Sequence, residues 1–474
     1  MTTREAARVV SLPVLAATLL LAGLGGCAKK PAAPDASVGP AVSARRAAAA
    51  PGKKKAGYTY QWSQACAGCH PQHHAQWDRS MHALAHKDAI YDFYFMRASR
   101  DSRKKLEPYC GRCHTPLAVR SGEIPFPHPL RVAGDTHVNK TAAEGVQCDF
   151  CHTISAQREL KNGGYELTPG NVKRSPLPNP RPINHQALVD PRYRSAEYCG
   201  TCHQVVHPEN GILLETTYSE WKKSPYAKAG IVCQDCHMTD GLVPPMADSA
   251  AGIGRPPKHP GKAASMGKRR PHISRHLFVG PNLVFTESGP KASAADKAER
   301  AARLRLLRRA GRVSITGLTR HIATNRFTVG IRVTNTGAGH YLPTGVTEVR
   351  ELWLEITIRD AKGKVLLQFG HPDQAGNLPK GTHLYRTEVR DAAEKDTPLF
   401  WNTVKKVRDR RIPPLGHVDE HIVLPTQLKG PITVDVALCY RSISPSGLAA
   451  ADIPPGSVKV PILIIHRVKK TLTL

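Results

Sequence analysis

The sequence predicts an α+β protein in two unlike parts. A mostly helical and looped region with little regular structure comes first, and an all-β, Ig-like sandwich domain follows. Three observations lead there. Five Cys-x-x-Cys-His segments crowd the first part, at residues 66–70, 110–114, 148–152, 199–203 and 233–237. Large apolar side chains are few between them, while Pro, Gly, His and Arg are common, so side chains alone cannot build that core. From Arg312 onward the hydrophobic period changes to two, the period of half-buried strands.

Each Cys-x-x-Cys-His segment is the attachment signature of a c-type haem. Two thiols form thioethers to the macrocycle and the adjacent His is the proximal iron ligand. The thiols are Cys66 and Cys69, Cys110 and Cys113, Cys148 and Cys151, Cys199 and Cys202, and Cys233 and Cys236. The proximal ligands are His70, His114, His152, His203 and His237. A zinc knuckle does not require His directly after every pair, and a dithiol enzyme needs one such motif, not five. The expected cofactor is therefore covalent haem c, five per chain.

Taken in order, Met1 to Cys27 reads as an export signal. Arg4 and Arg8 form a basic start, Val9 to Leu24 is mostly apolar, and Leu24-Gly-Gly-Cys27 resembles a bacterial lipobox. Lipidation at Cys27 is expected over plain signal cleavage, giving a membrane anchor and an exported, periplasmic or outer-membrane-associated bacterial lipoprotein. Residues 28–57 are rich in Ala, Pro and Lys and read as a disordered linker. The pentahaem domain is expected over 58–280, with haem as much of its core and folding tied to attachment. Within it, 241–270 reads as a long surface loop. A connector spans 281–311. Its helix runs from Ala294 to Ala310, with Ser293 as N-cap, acids early, arginines late and Gly311 to end it.

The β domain is expected over 312–474. Its strands carry Phe327, Val329, Ile331 and Val333; Leu352, Leu354, Ile356 and Ile358; Ile432, Val434, Val436 and Leu438; and Val458, Val460, Ile462 and Ile464. Cys439 falls on the opposite phase of its strand and reads as a structural thiol. The net charge of +29 carries no nucleic-acid motif and its basic residues are scattered, so no nucleic-acid partner is expected. Haem propionates offset part of that charge; the remainder can steer an acidic partner, although most of it reads as solvated surface charge.

Five irons need second ligands. Beyond the proximal five, eighteen of the 23 histidines remain, against six methionines, which favours His/His ligation and low potentials. The segment Cys66 to Ala85, with Trp77, Ser80 and His82 after its haem motif, resembles the cytochrome c-554/c-prime superfamily. Further segments are similar to it: Thr115-Pro116, Glu144-Gly-Val-Gln147, His185 ahead of the fourth motif, Tyr218 to Tyr226, His276-Leu-Phe-Val-Gly280, and Asn335 to Gly345 with His340. The resemblance covers about residues 58 to 465, although its best-known members carry four haems or eight. It implies distal ligation by His82, and the matched segments make His185, His276 and His340 candidates. His137 completes the set of five, with His128 and His272 as alternatives. The other reading of His82 is a helix-surface His like its neighbours His73, His74 and His86.

Function reads as electron transfer between donor and acceptor redox proteins. The alternative is a multihaem oxidoreductase acting on small nitrogen or sulfur compounds at a haem with an open position. No Cys-x-x-Cys-Lys variant marks a specialised active haem, and no catalytic residue is assigned. A basic stretch, Lys268, Arg269 and Arg270, lies near His272 and could attract a small anion, but a plain charged loop is the favoured reading. A third reading makes the β domain a docking module.

Overall fold

The computed structural model describes residues 60–122, 141–282, 293–426 and 428–473, all within one compact unit. The expectations at Cys27, in the linker, and at His128 and His137 lie outside the described residues. Among the described residues, no helix is long and apolar enough to cross a membrane.

The first region is built of short pieces. Helix α1 is Pro71–Asp78, α2 is Ala89–Asp101, α3 is Glu107–His114 and α4 is Thr217–Lys222. Only α2 is long. Asp88 caps it by accepting the Tyr91 amide, and its buried face carries Tyr94, Phe95 and Ala98. Each haem motif lies on or beside a short helix, since Cys-x-x-Cys needs one helical turn to point both thiols the same way. The expected loop at 241–270 is only partly a loop. Gly261–Lys262 pairs antiparallel with Arg269–Arg270, closing a small hairpin.

Helix α5 (Ala294–Ala310) has the expected capping box. Ser293 Oγ accepts the Asp296 amide and Asp296 reaches back to the Ser293 amide. Gly311 ends it in extended backbone, and a strand starts there at once. A Cβ at Gly311 would stand 2.9 Å from Leu342 Cδ2, so the need is for space.

Two antiparallel sheets follow. One has the order β8–β2–β1, from β1 (Gly311–His321), β2 (Arg326–Asn335) and β8 (His417–Val423). The other runs β4–β3–β9–β10 with β5 also on β3, from β3 (Glu351–Arg359), β4 (Val365–Phe369), β5 (Leu384–Tyr385), β9 (Ile432–Arg441) and β10 (Leu463–Leu472). Between them, β6 (Thr387–Arg390) and β7 (Lys405–Asp409) make a separate pair. Val329, Ile331, Val333, Leu352, Leu354, Ile356, Ile358, Val434, Val436 and Leu438 share one core. The alternation read from the sequence holds in β2, β3 and β9. It fails at the last strand, where Leu463 and Ile465 are buried while Ile462 and Ile464 are exposed. Regular pairing starts only at Leu463, and Val458 and Val460 pack elsewhere, against the cluster around Tyr94 and Trp401. Cys439 lies on the far face of β9 beside Trp353, where burial pushes its thiol up to about 12, as befits a structural thiol.

The regions before and after α5 share contacts. Tyr94 of α2 donates to the Gly447 carbonyl at 3.0 Å, and the Trp401 indole donates to Asp101 at 3.2 Å. Beside this seam lies Glu348, 7% exposed. Burial pushes its carboxyl up to about 7, against the pull of Lys406 and Arg411. A carboxyl raised on folding stabilises the fold while protonated, and that contribution is lost as pH rises from the unfolded value of 4.5 through about 7. Glu348→Gln is therefore expected to match the wild type at pH 4.5 and exceed it at pH 8, by at most on the order of 3 kcal/mol. Denaturant midpoints followed by circular dichroism test this, and a gap that does not change with pH refutes it.

Candidate haem-binding site

A cavity of about 1630 Å³ runs through the first region and under the His340 loop, and residues of all five Cys-x-x-Cys-His motifs line it. A single small-molecule pocket takes roughly 300–1,000 Å³. The motifs are contiguous. The Cys66 thiol meets Cys148, Cys113 meets Cys202, and Cys199 meets Cys233. Tyr198, beside Cys199, donates to the Cys151 carbonyl at 2.8 Å, which joins the third segment to the fourth.

The proximal histidines share one device. Nδ1 donates to a backbone carbonyl in four of them: His70 to Ala263 at 2.6 Å, His114 to Ala85 at 2.9 Å, His152 to Arg174 at 2.6 Å and His237 to Val279 at 2.6 Å. His203 instead faces the Glu215 carboxylate at 3.3 Å. Holding Nδ1–H this way fixes the tautomer and leaves Nε2 to bind a metal.

Four of the five candidate second ligands stand opposite a proximal ring. Ring centroids are 6.3 Å apart for His70 and His185, 6.3 Å for His203 and His82, 6.4 Å for His152 and His276, and 6.2 Å for His237 and His340. Two imidazoles bound to one ion at about 2 Å each place their centroids about 6 Å apart. The separations thus fit one metal ion per pair. His73 also stands 6.3 Å from His70, but it lies one turn along α1 with its ring 4.6 Å from His276. His114 stacks on Tyr91 at 4.1 Å, and the fifth candidate, His137, lies outside the described residues. His272 is engaged elsewhere: Nε2 meets Arg194 at 3.0 Å and Nδ1 accepts the His259 amide.

Burial sets the charge state. It pushes His82 down to about 3 and His237 to about 4, and lowers His114, His152, His276 and His340. These rings stay neutral, as ligation requires. Burial also opposes charge on His203, but the Glu215 carboxylate outweighs it and raises the group to about 9.

The sequence segments that flank the motifs now have physical roles. The Trp77 indole donates to the Val146 carbonyl at 2.8 Å, and Val146 N–H donates to the His82 carbonyl at 2.9 Å. Gly145 sits at φ +68, and a Cβ there would stand 2.6 Å from the His82 carbonyl oxygen, so only glycine lets the two segments meet. Phe278 sets its ring edge-to-face with His82 at 4.2 Å and with His276 at 5.7 Å. Glu220 on α4 accepts the Tyr341 amide at 3.1 Å and Thr344 Oγ1 at 2.7 Å, and Arg411 neutralises it at 2.5 Å. That network, with Asn335 donating to the His340 carbonyl at 2.9 Å, fixes the loop that carries His340. His73 and His86 are not surface residues: burial pushes His73 down to about 4, and His86 is 2% exposed.

Do these walls suit haem c? Ten thiols and nine neutral or Nδ1-anchored imidazoles line or flank the cavity. Two buried guanidinium nitrogens on its wall, Arg174 Nη1 and Arg350 Nε, have no partner among the described residues. They suit anionic propionates, so the residues fit the group.

Residues 65–153 match the family described as cytochrome c554 and c-prime. The structure is similar to that of a penta-haem cytochrome c552 from Thermochromatium tepidum. The TM-score is 0.57 at 19% identity, over 87% of this chain and 99% of the other. This is the fold of a multihaem c-type cytochrome. No curated protein matches the sequence of this chain. Sequence reasoning missed three residues of the candidate site: Glu215, Tyr91 and the buried Arg174. None stands at a fixed spacing from a motif, so only tertiary contact reveals them.

Proposed function

We propose that the chain transfers electrons through five covalent haem c groups, held at the five Cys-x-x-Cys-His segments. The iron ligand pairs are His70 with His185, His203 with His82, His152 with His276 and His237 with His340. His137 is the proposed second ligand opposite His114. The observation that carries this reading is the set of four histidine pairs at 6.2–6.4 Å within one cavity. When bound, each haem supplies one reversible Fe(III)/Fe(II) step.

The chain's own part is to ligate, to keep most of the ligands neutral by burial while Glu215 holds the Nδ1 proton of His203, and to hold the sites in contact. Segment contacts run one–three–four–five, with the second segment beside the fourth. Such contiguity supports hopping from end to end with a branch at the fourth site. The sequence start supports export with lipid anchoring at Cys27, in the periplasm or at the outer membrane, and partners that are redox proteins.

Low-temperature EPR of the oxidised protein tests the ligation, with haem content fixed by a denatured haemochrome assay. The expected result is five haems per chain and low-spin signals only. A high-spin signal of one haem equivalent means an open iron. The reading then moves to an oxidoreductase acting on small nitrogen or sulfur compounds.

A further inference from the structure

The first attachment site is wrapped by two segments. Residues 171–189 bring His185, and Asn184 Nδ2 reaches Cys69 Sγ at 3.7 Å. Residues 257–277 supply the Ala263 carbonyl to His70, and the Ser265 amide donates to the Cys69 carbonyl at 2.9 Å. Cys69 is exposed, so this site reaches the surface.

Both segments lack any Asp or Glu. Arg181, Lys262, Lys268 and Arg269 are exposed and Arg270 half-buried, and none of the five forms an ion pair among the described residues. Elsewhere surface arginines are matched, as Arg332 is by Asp419 at 2.7 Å and Arg467 by Asp435 at 2.8 Å. Beside these charges two apolar side chains stand out in water, Ile183 at 79% exposed and Met266 at 81%. An apolar centre with a charged rim is the anatomy of a protein contact surface. Unmatched basic charge of one sign attracts a partner of the other.

We propose that the surface over the first attachment site docks an acidic redox protein, with Ile183 and Met266 at the contact and Arg181, Lys262, Lys268, Arg269 and Arg270 as the steering rim. This rests on the electron-transfer reading and adds where electrons cross and the charge of the partner. Lys268 to Arg270 thereby steer a protein, in place of the small anion considered from sequence.

The test uses the holoprotein and the variant Lys268→Glu/Arg269→Glu/Arg270→Glu. The probe is flavodoxin hydroquinone, an acidic one-electron donor, mixed by stopped flow from low salt to about 0.5 M, where charge is screened within a few ångströms. The expected wild-type rate falls about tenfold or more with salt. The variant is expected to be slower by about tenfold at low salt, with a flat salt dependence. Methyl viologen radical cation, a small, cationic and strongly reducing one-electron donor, is expected to reduce the variant at least as fast as the wild type. A Lys469→Glu/Lys470→Glu variant on β10 is expected to behave as wild type. The proposal is overturned if the flavodoxin rates match, if reduction by the viologen slows equally, or if the β10 variant loses as much. Voltammetry of the wild type judges the underlying reading separately: without reversible haem waves, electron transfer itself fails, whatever the docking rates.

Discussion

His82→Ala is expected to leave every haem attached and to turn one of them high-spin. The thioethers come from cysteines that the substitution does not touch. The ring removed is the one 6.3 Å from His203, so the iron there keeps only its proximal ligand. Alanine retains the backbone carbonyl that accepts from Val146, so the turn and its seam with the third motif survive. The pocket left behind is walled by Phe278, which offers no ligand atom. The readouts are one high-spin equivalent in EPR, carbon monoxide binding at one haem, and an unchanged haemochrome yield. His74→Ala is the control: its ring lies against Trp77 at 5.7 Å, and it is expected to leave the spectrum alone. An unchanged spin state in His82→Ala would show that another residue ligates that iron.

Much of this was legible because covalent chemistry writes itself into local spacing. Cys-x-x-Cys-His names ten thiols and five ligands from pentads alone, and period-two runs named the inner faces of β2, β3 and β9. The candidate second ligands were legible only as parts of longer segments. Trp77, Ser80 and His82 read as a unit because Trp77 reaches forward to Val146 while Ser80 accepts the Ala83 amide in the turn that presents His82. Their pairing was not legible. His82 follows the first motif yet stands opposite the proximal ligand of the fourth, and His276 follows the fifth yet stands opposite that of the third. Nothing in a linear pattern carries such exchange, since it is set by how the segments cross. The last strand misled for a related reason: Val458 and Val460 have strand-like alternation but serve the seam with α2, and the phase resets at Leu463.

Glu215 shows what tertiary contact adds, and replacing it is expected to move one reduction potential upward. Four proximal histidines donate to neutral carbonyls, while His203 donates to a carboxylate. An anionic acceptor pulls the Nδ1 proton and makes the imidazole a stronger donor to iron, which stabilises Fe(III) over Fe(II). Thr217 Oγ1 donates to the same carboxylate at 3.2 Å, and the nearby Arg350 charge moderates the effect without removing it. Glu215→Gln keeps the size and an acceptor oxygen but deletes the charge. One wave in a spectroelectrochemical titration is then expected to rise by on the order of 60 mV, about 59 mV being tenfold in a one-electron couple. The other waves are expected to stay. Glu197→Gln, whose carboxylate takes Tyr218 at 3.0 Å, is expected to move none. No shift, or a uniform shift of all waves, would remove Glu215 from any tuning role. The position of the fourth site gives the prediction its weight, because that segment touches the second, third and fifth. A lowered potential at the junction makes it the site where an electron rests least. On the proposed electron-transfer reading, electrons would then be held toward the ends of the chain, and relieving the charge at Glu215 is expected to let reduction spread inward at higher potential.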